Sequence, residues 1–240
     1  MIQEASLIEV FCAVQGEGPY VGVRQAFVRF SGCNLNCNYC DTPVTPPAVC
    51  KYETPGQVAS FSDVNNPMDP ARVDQLIESY DKIHSVSLTG GEPLLHADFI
   101  SSLSTEVPLY LESNMTLPDM ARKVKDRVRY VSGDVKLDPG LPGDEFDSHL
   151  KNTIECFRNL RNTDSRDCFC KVVVTSKTSV DDLISIIEEI HGFVSCVILQ
   201  PVTQEQMAAS PSFLLDCQHS LLDMVDTRII PQTHKMWGCL

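Results

Sequence analysis

Short runs of β-branched and aromatic residues alternate with stretches of helical spacing along most of these 240 residues. No other feature limits the fold as much. Strand-type runs are read at Leu7–Ala13, Ala26–Phe30, Ser85–Leu88, Leu109–Glu112, Arg129–Val135, Lys171–Thr175, Ser195–Gln200 and near Thr227–Ile230. Val73, Leu76, Ile77 and Tyr80 fall on one face of a helix that starts near Pro70. Val180, Leu183, Ile184 and Ile187 repeat that spacing, with Ser179 as N-cap, Asp182 as its capping-box partner and Gly192 as the stop. Strand–helix alternation of this kind predicts βαβ units and a mostly parallel sheet. About six units are visible, fewer than the eight of a closed barrel. The stretch from Pro43 to Pro70 breaks the rhythm. It holds six prolines and no clear period, and is expected to be an irregular insertion or functional loop.

Composition removes several classes of function. Asp and Glu outnumber Lys and Arg by 32 to 19, a net charge of −13, which argues against a chain that tracks a nucleic-acid backbone. No apolar run is long enough to span a membrane. The N-terminus has no basic region followed by an apolar stretch, so a cytoplasmic location is expected. In that compartment, eleven cysteines point to metal binding before disulfides.

Three of those cysteines, Cys33, Cys37 and Cys40, form C-x3-C-x2-C in one short segment. Three thiolates on a loop can hold three irons of a 4Fe–4S cluster and leave the fourth iron open to a ligand. The alternative is a zinc loop, but structural zinc takes four ligands, commonly from paired C-x2-C units, and no second such unit exists. Cys168 and Cys170 read as alternating residues of a strand, and the remaining cysteines as small buried apolar residues. Farther along, Thr89-Gly90-Gly91-Glu92-Pro93 follows an apolar strand, and glycines at a strand end let backbone approach a ligand.

The cysteine motif, with Tyr39 before its last cysteine, and the Gly90-Gly91-Glu92-Pro93 segment resemble the radical S-adenosylmethionine (SAM) superfamily. Val14-Gln15-Gly16-Glu17-Gly18-Pro19, Arg29, Asp41-Thr42 and Pro231-Gln232-Thr233-His234-Lys235 resemble, more narrowly, the 7-carboxy-7-deazaguanine synthase family. The resemblance implies an α/β chain folded as a partial (β/α)6 TIM-like barrel, one radical SAM domain over 1–240 with the insertion at about 43–70. It also implies a lyase that contracts 6-carboxy-5,6,7,8-tetrahydropterin to 7-carboxy-7-deazaguanine with loss of ammonia, in 7-deazapurine (queuosine or archaeosine) biosynthesis. The cofactors implied are the 4Fe–4S cluster, SAM and Mg²⁺. The partners implied are the pterin, a reductant such as flavodoxin or ferredoxin, and a second copy in a homodimer. Two readings compete: a glycyl-radical activase, and a non-catalytic iron–sulfur or zinc protein.

Residue by residue, the resemblance assigns Cys33, Cys37 and Cys40 to the cluster and Thr42 to Mg²⁺. Val14, Gln15, Gly16, Arg29, Thr89, His234 and the terminal Leu240 are expected at the substrate, where a guanidinium suits a carboxylate. Tyr39, Cys40, Asp41, Gly91, Asp134, Val135, Lys136, Gln200, Pro201, Val202 and Thr203 are expected at SAM. Plainer readings stand beside these: an ion pair for Arg29, an ion pair between Asp134 and Lys136, a structural role for His234 and a turn cap for Thr42. The family's E-T-N-G-like segment here reads Glu112-Ser113-Asn114-Met115, with no glycine at the turn.

Overall fold

A computed structural model describes residues 3–37, 45–137 and 143–238. Among the described residues, ten strands form one sheet: β1 Leu7–Val14, β2 Arg24–Phe30, β3 Val49–Glu53, β4 Phe61–Asn65, β5 Ser85–Gly90, β6 Leu109–Ser113, β7 Val128–Val135, β8 Asp167–Val174, β9 Val197–Pro201 and β10 Thr227–Ile229. Their spatial order is β10-β9-β8-β7-β6-β5-β2-β1-β3-β4. Strands β2 and β5 to β10 run parallel. Between them the chain crosses over through α1 Pro70–Glu78, α2 Ala97–Ser102, α3 Pro118–Val124, α4 Gly143–Asn159, α5 Val180–Ile190 and α6 Pro211–Leu221. These are six β/α units plus a closing strand, left open at both edges, in agreement with a partial barrel. A short C-terminal helix, α7 Thr233–Trp237, follows.

Local signals explain the helix boundaries. In α1, the Asp69 side chain accepts the backbone N–H of Arg72 and Pro70 occupies the first turn, where its missing N–H costs nothing. Val73, Leu76, Ile77 and Tyr80 are all buried, as their spacing predicts. Ser179 caps α5 by accepting from the Asp182 N–H. Gly192 does not stop that helix: α5 ends at Ile190 and Gly192 lies in the 3₁₀ turn that follows. The buried face of α5 is centred on Leu183, Ile186, Ile187 and Ile190, with Val180 and Ile184 at its margin.

The Pro43–Pro70 stretch departs from the irregular loop expected of it. It contains β3 and β4, an antiparallel hairpin that extends the sheet beyond β1. Asn66 ties the hairpin to β1: its Oδ1 accepts from Leu7 N and its Nδ2 donates to Leu7 O. Strand β4 is mostly exposed, so it shows no apolar alternation in sequence. Its residues do not line the main cleft. Among the described residues, no helix is long and apolar enough to cross a membrane.

Candidate active site

A cavity of about 270 Å³ opens at the C-terminal ends of the parallel strands, the end of a β/α barrel where loops of different strands converge. Thr89 and Gly90 of β5, Glu112 and Ser113 of β6, Ser132 and Asp134 of β7, Lys171 and Val173 of β8 and Gln200 of β9 all line it. Each strand alternates, so residues two apart share the cleft face. That alternation sorts the predicted contacts. Asp134 and Lys136 line the cleft, whereas Val135 between them is buried in the core beneath the helices. Gln200, Val202 and Thr203 line it and Pro201 does not.

Of the predicted substrate contacts, Val14, Gln15, Gly16, Arg29, Thr89 and His234 all border the cavity. So do Cys33, Cys37 and Gly91. Tyr39, Cys40, Asp41, Thr42 and Leu240 lie outside the described residues. Among the described residues, no three side chains are grouped to hold a metal, since the motif's third cysteine is not among them. Arg29 forms the ion pair of its plainer reading, Nε to Glu9 at 2.6 Å, and borders the cavity with its guanidinium 5.7 Å from the Phe11 ring on the wall. Asp134 and Lys136 likewise form an ion pair of 2.7 Å within the cavity lining.

The floor carries charges that the sequence analysis did not single out. Lys171, from the middle of β8, donates to Glu17 Oε2 at 2.5 Å and lies 3.7 Å from Asp134 Oδ2. Gln232 Nε2 donates to the other Glu17 oxygen at 2.6 Å. Glu112 Oε1 accepts from Ser87 Oγ and from Gln15 Nε2. Burial works against ionisation of Glu17, but the Lys171 ammonium and the Gln232 and Lys171 hydrogen bonds outweigh it and hold the carboxyl down to about 2. Burial would strip the proton from Lys171, yet Glu17, Asp134 and Glu112 raise its pKa above the usual lysine value. Glu112 moves up, through burial first, with Lys171 pulling the other way and Glu17 adding to the rise. One pocket thus holds two carboxyls whose pKa values are pushed apart.

Two glycines permit backbone docking that any side chain would block. A Cβ on Gly91 would sit 1.8 Å from the Gly32 carbonyl oxygen. The N–H groups of Gly91 and Glu92 donate to Phe30 O and Gly32 O, so this segment clamps the chain leading into Cys33. A Cβ on Gly16 would strike the His234 ring at 2.2 Å. The Thr233 N–H and hydroxyl both donate to Gly16 O, which seats α7 over the cleft. The E-T-N-G-like turn forms without its glycine, because Met115 itself adopts φ +57. A left-handed non-glycine residue costs of order 1–3 kcal/mol. Met115 is fully buried against Gly133, and its N–H donates to Ser113 Oγ, which holds it there.

The residues fit the groups assigned to this cleft. Asp134 Oδ1 and Gln200 Oε1 are buried and, among the described residues, have no hydrogen-bond partner. Buried acceptors are almost always paired, and these two border a cavity into which a ligand bearing hydroxyl or ammonium donors would bring the missing partners. Cys33 and Cys37 border the same space with the soft thiolate chemistry that iron takes.

Residues 27–190 match the Radical SAM superfamily. The chain is 45% identical over 98% of its length to a 7-carboxy-7-deazaguanine synthase of Archaeoglobus fulgidus, which it covers to 98%. It is 38% identical to one of Geobacter sulfurreducens over 98% of both chains. Its fold is similar to the crystal structure of QueE from Escherichia coli, at 19% identity and a TM-score of 0.60 over 96% of this chain and 95% of that one. The chain therefore belongs to the radical SAM superfamily and, within it, to the family of 7-carboxy-7-deazaguanine synthases.

Proposed function

We propose that this enzyme contracts the reduced ring of 6-carboxy-5,6,7,8-tetrahydropterin, releasing ammonia and 7-carboxy-7-deazaguanine, with Mg²⁺ held beside the substrate. The observation that carries this reading is the meeting, in one cavity, of two motif cysteines, two unpaired buried acceptors and a floor of Glu17, Lys171 and Glu112. The relatives' name supplies the product. Cys33, Cys37 and Cys40 would hold a 4Fe–4S cluster, which together with SAM would supply one-electron radical chemistry to the site.

The chain's own residues bind, orient and shield. Arg29 offers the guanidinium nitrogens beyond its Glu9 contact to the substrate carboxylate. The aminopyrimidinone edge of a pterin carries N–H donors and a carbonyl acceptor. Glu17 and Glu112 match the donors and Lys171 the acceptor. Gln15 is fixed for this task, because its Oε1 accepts the Glu17 N–H while its Nε2 reaches Gln25 and Glu112. Asp134, Lys136, Gln200, Val202, Thr203 and Gly91 border the SAM side, and Thr42 supplies a hard oxygen to Mg²⁺. Glu112, with its raised pKa, is the group suited to hold or give a proton at the ring. His234 and Lys235 of α7 border the cavity, where they would help to shield the substrate from water. In radical chemistry of this kind, the protein acts mainly by positioning and by keeping water out. A small reductant protein such as flavodoxin or ferredoxin supplies the electron.

The test is an anaerobic incubation of the reconstituted, reduced enzyme with SAM, Mg²⁺ and 6-carboxytetrahydropterin, read by mass spectrometry. Appearance of 7-carboxy-7-deazaguanine is the expected outcome. Formation of 5′-deoxyadenosine without it would remove the substrate assignment and leave the radical SAM chemistry standing.

A further inference from the structure

The turn that follows β6 is built more tightly than a cavity wall requires, and it ends on a cysteine of the cluster motif. Asn114 is only 7% exposed, and its carboxamide uses all of its hydrogen-bonding capacity. Its Oδ1 accepts the Thr116 N–H at 3.2 Å and the Thr116 hydroxyl at 2.6 Å. Its Nδ2 donates to Asn34 Oδ1 at 3.0 Å and to Cys33 Sγ at 3.8 Å. Asn34 Nδ2 donates in turn to Thr116 Oγ1 at 2.8 Å, which closes a ring of three side chains. The orientation of the amide follows from this ring. A backbone N–H can only donate, so the Asn114 atom facing Thr116 N is the oxygen, and the nitrogen must face the sulfur.

The backbone of the turn is anchored as firmly. Buried Glu92 accepts the Asn114 N–H at 2.7 Å and the Ser113 hydroxyl at 2.8 Å. Glu92 belongs to the segment whose N–H groups clamp the chain entering Cys33. The same rigid unit therefore fixes the sulfur and the donor aimed at it.

We propose that Asn114 is a positioning residue for the cluster, donating a side-chain N–H to the Cys33 thiolate and thereby raising the cluster's reduction potential. This rests on the reading that Cys33, Cys37 and Cys40 hold a 4Fe–4S cluster. A donor to a ligating sulfur draws charge from it and stabilises the reduced, more negative form over the oxidised one. Neither Thr116 nor Asn34 needs to touch the cluster for this. They hold the amide in the donating orientation.

The experiment is an EPR-monitored redox titration of the reconstituted enzyme and its Asn114→Ala and Thr116→Val variants, with iron and sulfide content measured alongside. The expected result is a full cluster in each, a midpoint potential shifted below wild type in Asn114→Ala, and a smaller shift in the same direction in Thr116→Val. If Asn114→Ala assembles no cluster, Asn114→Ser, which brings no N–H to Cys33, takes its place under the same criterion. A variant that carries a full cluster at the wild-type potential overturns the role of Asn114. Failure of the wild-type protein to take up any cluster under anaerobic reconstitution overturns the cluster reading itself, and with it this one.

Discussion

Two layers of the barrel interior lie on the same faces of the same strands and differ in every chemical respect. Tyr110 and Glu112 stand two residues apart on β6, Tyr130, Ser132 and Asp134 on β7, Phe169 and Lys171 on β8, and Ile198 and Gln200 on β9. The lower member of each set belongs to an apolar plug of Tyr110, Phe169, Cys196 and Ile198 with Tyr20 and Tyr130 packed on it. Tyr20 meets Tyr110 and Tyr130 edge-on at 5.8 and 4.8 Å, a favoured arrangement of aromatic rings. The upper member of each set lines the cavity. The step from plug to floor teaches why the floor can hold perturbed charges. The plug sets apolar and aromatic groups beneath the floor, so each ion above it depends strongly on its protein neighbours.

The largest effect should come from above the floor. Cys33→Ala or Cys37→Ala should abolish product formation while leaving the far-ultraviolet circular dichroism of the fold unchanged. A variant that still forms product would break the assignment of the upper layer as the reactive one.

Next, one truncation in each layer sharpens the contrast. Phe169→Ala should cost about 3–5 kcal/mol of stability, the usual range for a large buried aromatic. Its activity below the melting transition should survive. Lys171→Met should cost about as much, roughly 3–5 kcal/mol, because Glu17 and Asp134 lose the cation that balances them. Here activity should fall as well. Urea denaturation and product assays on both variants would show whether stability and function separate by layer.

A weaker effect is expected from acid. The Glu17 carboxyl is held at about 2, against 4.5 when unperturbed. Its contribution to stability is therefore present above pH 4.5 and lost as pH falls toward 2. Thermal melts over that window should decline more steeply for the wild type than for Glu17→Gln, and equal slopes would contradict the pairing. The smallest change is Arg29→Lys. It keeps the charge and loses the planar fork, so KM for the proposed substrate, 6-carboxytetrahydropterin, should rise about tenfold, the equivalent of about 1.4 kcal/mol, with kcat little altered.

Much of the candidate site was legible in the chain. Gln15, Arg29, Thr89, Gly91, Asp134, Gln200 and His234 were all expected near ligands, and all border the cavity. Lys171 was not, although it carries a signal: a single charge inside Cys168-Phe169-Cys170-Lys171-Val172-Val173-Val174, where an inward-facing ion is otherwise costly. Val135 shares a run with Asp134 and Lys136 in the sequence, but strand alternation turns its side chain to the core while theirs face the cavity. The β3–β4 hairpin was hidden because its outer strand is exposed and its flanks are rich in proline, so neither apolar period nor strand composition marks it.

The amino-acid order alone determined the β/α alternation, the cysteine spacing, the glycines where backbone meets backbone, and the helix caps. Each of these depends on residues a few positions apart, so it can be read locally. Only the tertiary structure decided that Glu17 would be neutralised by Lys171, 154 residues on, and held by Gln232, 215 residues on. It alone turned Asn114 toward Cys33 across 81 residues. Such partners meet because strand order and register bring distant strand ends to one mouth, and no local periodicity encodes which ends will meet.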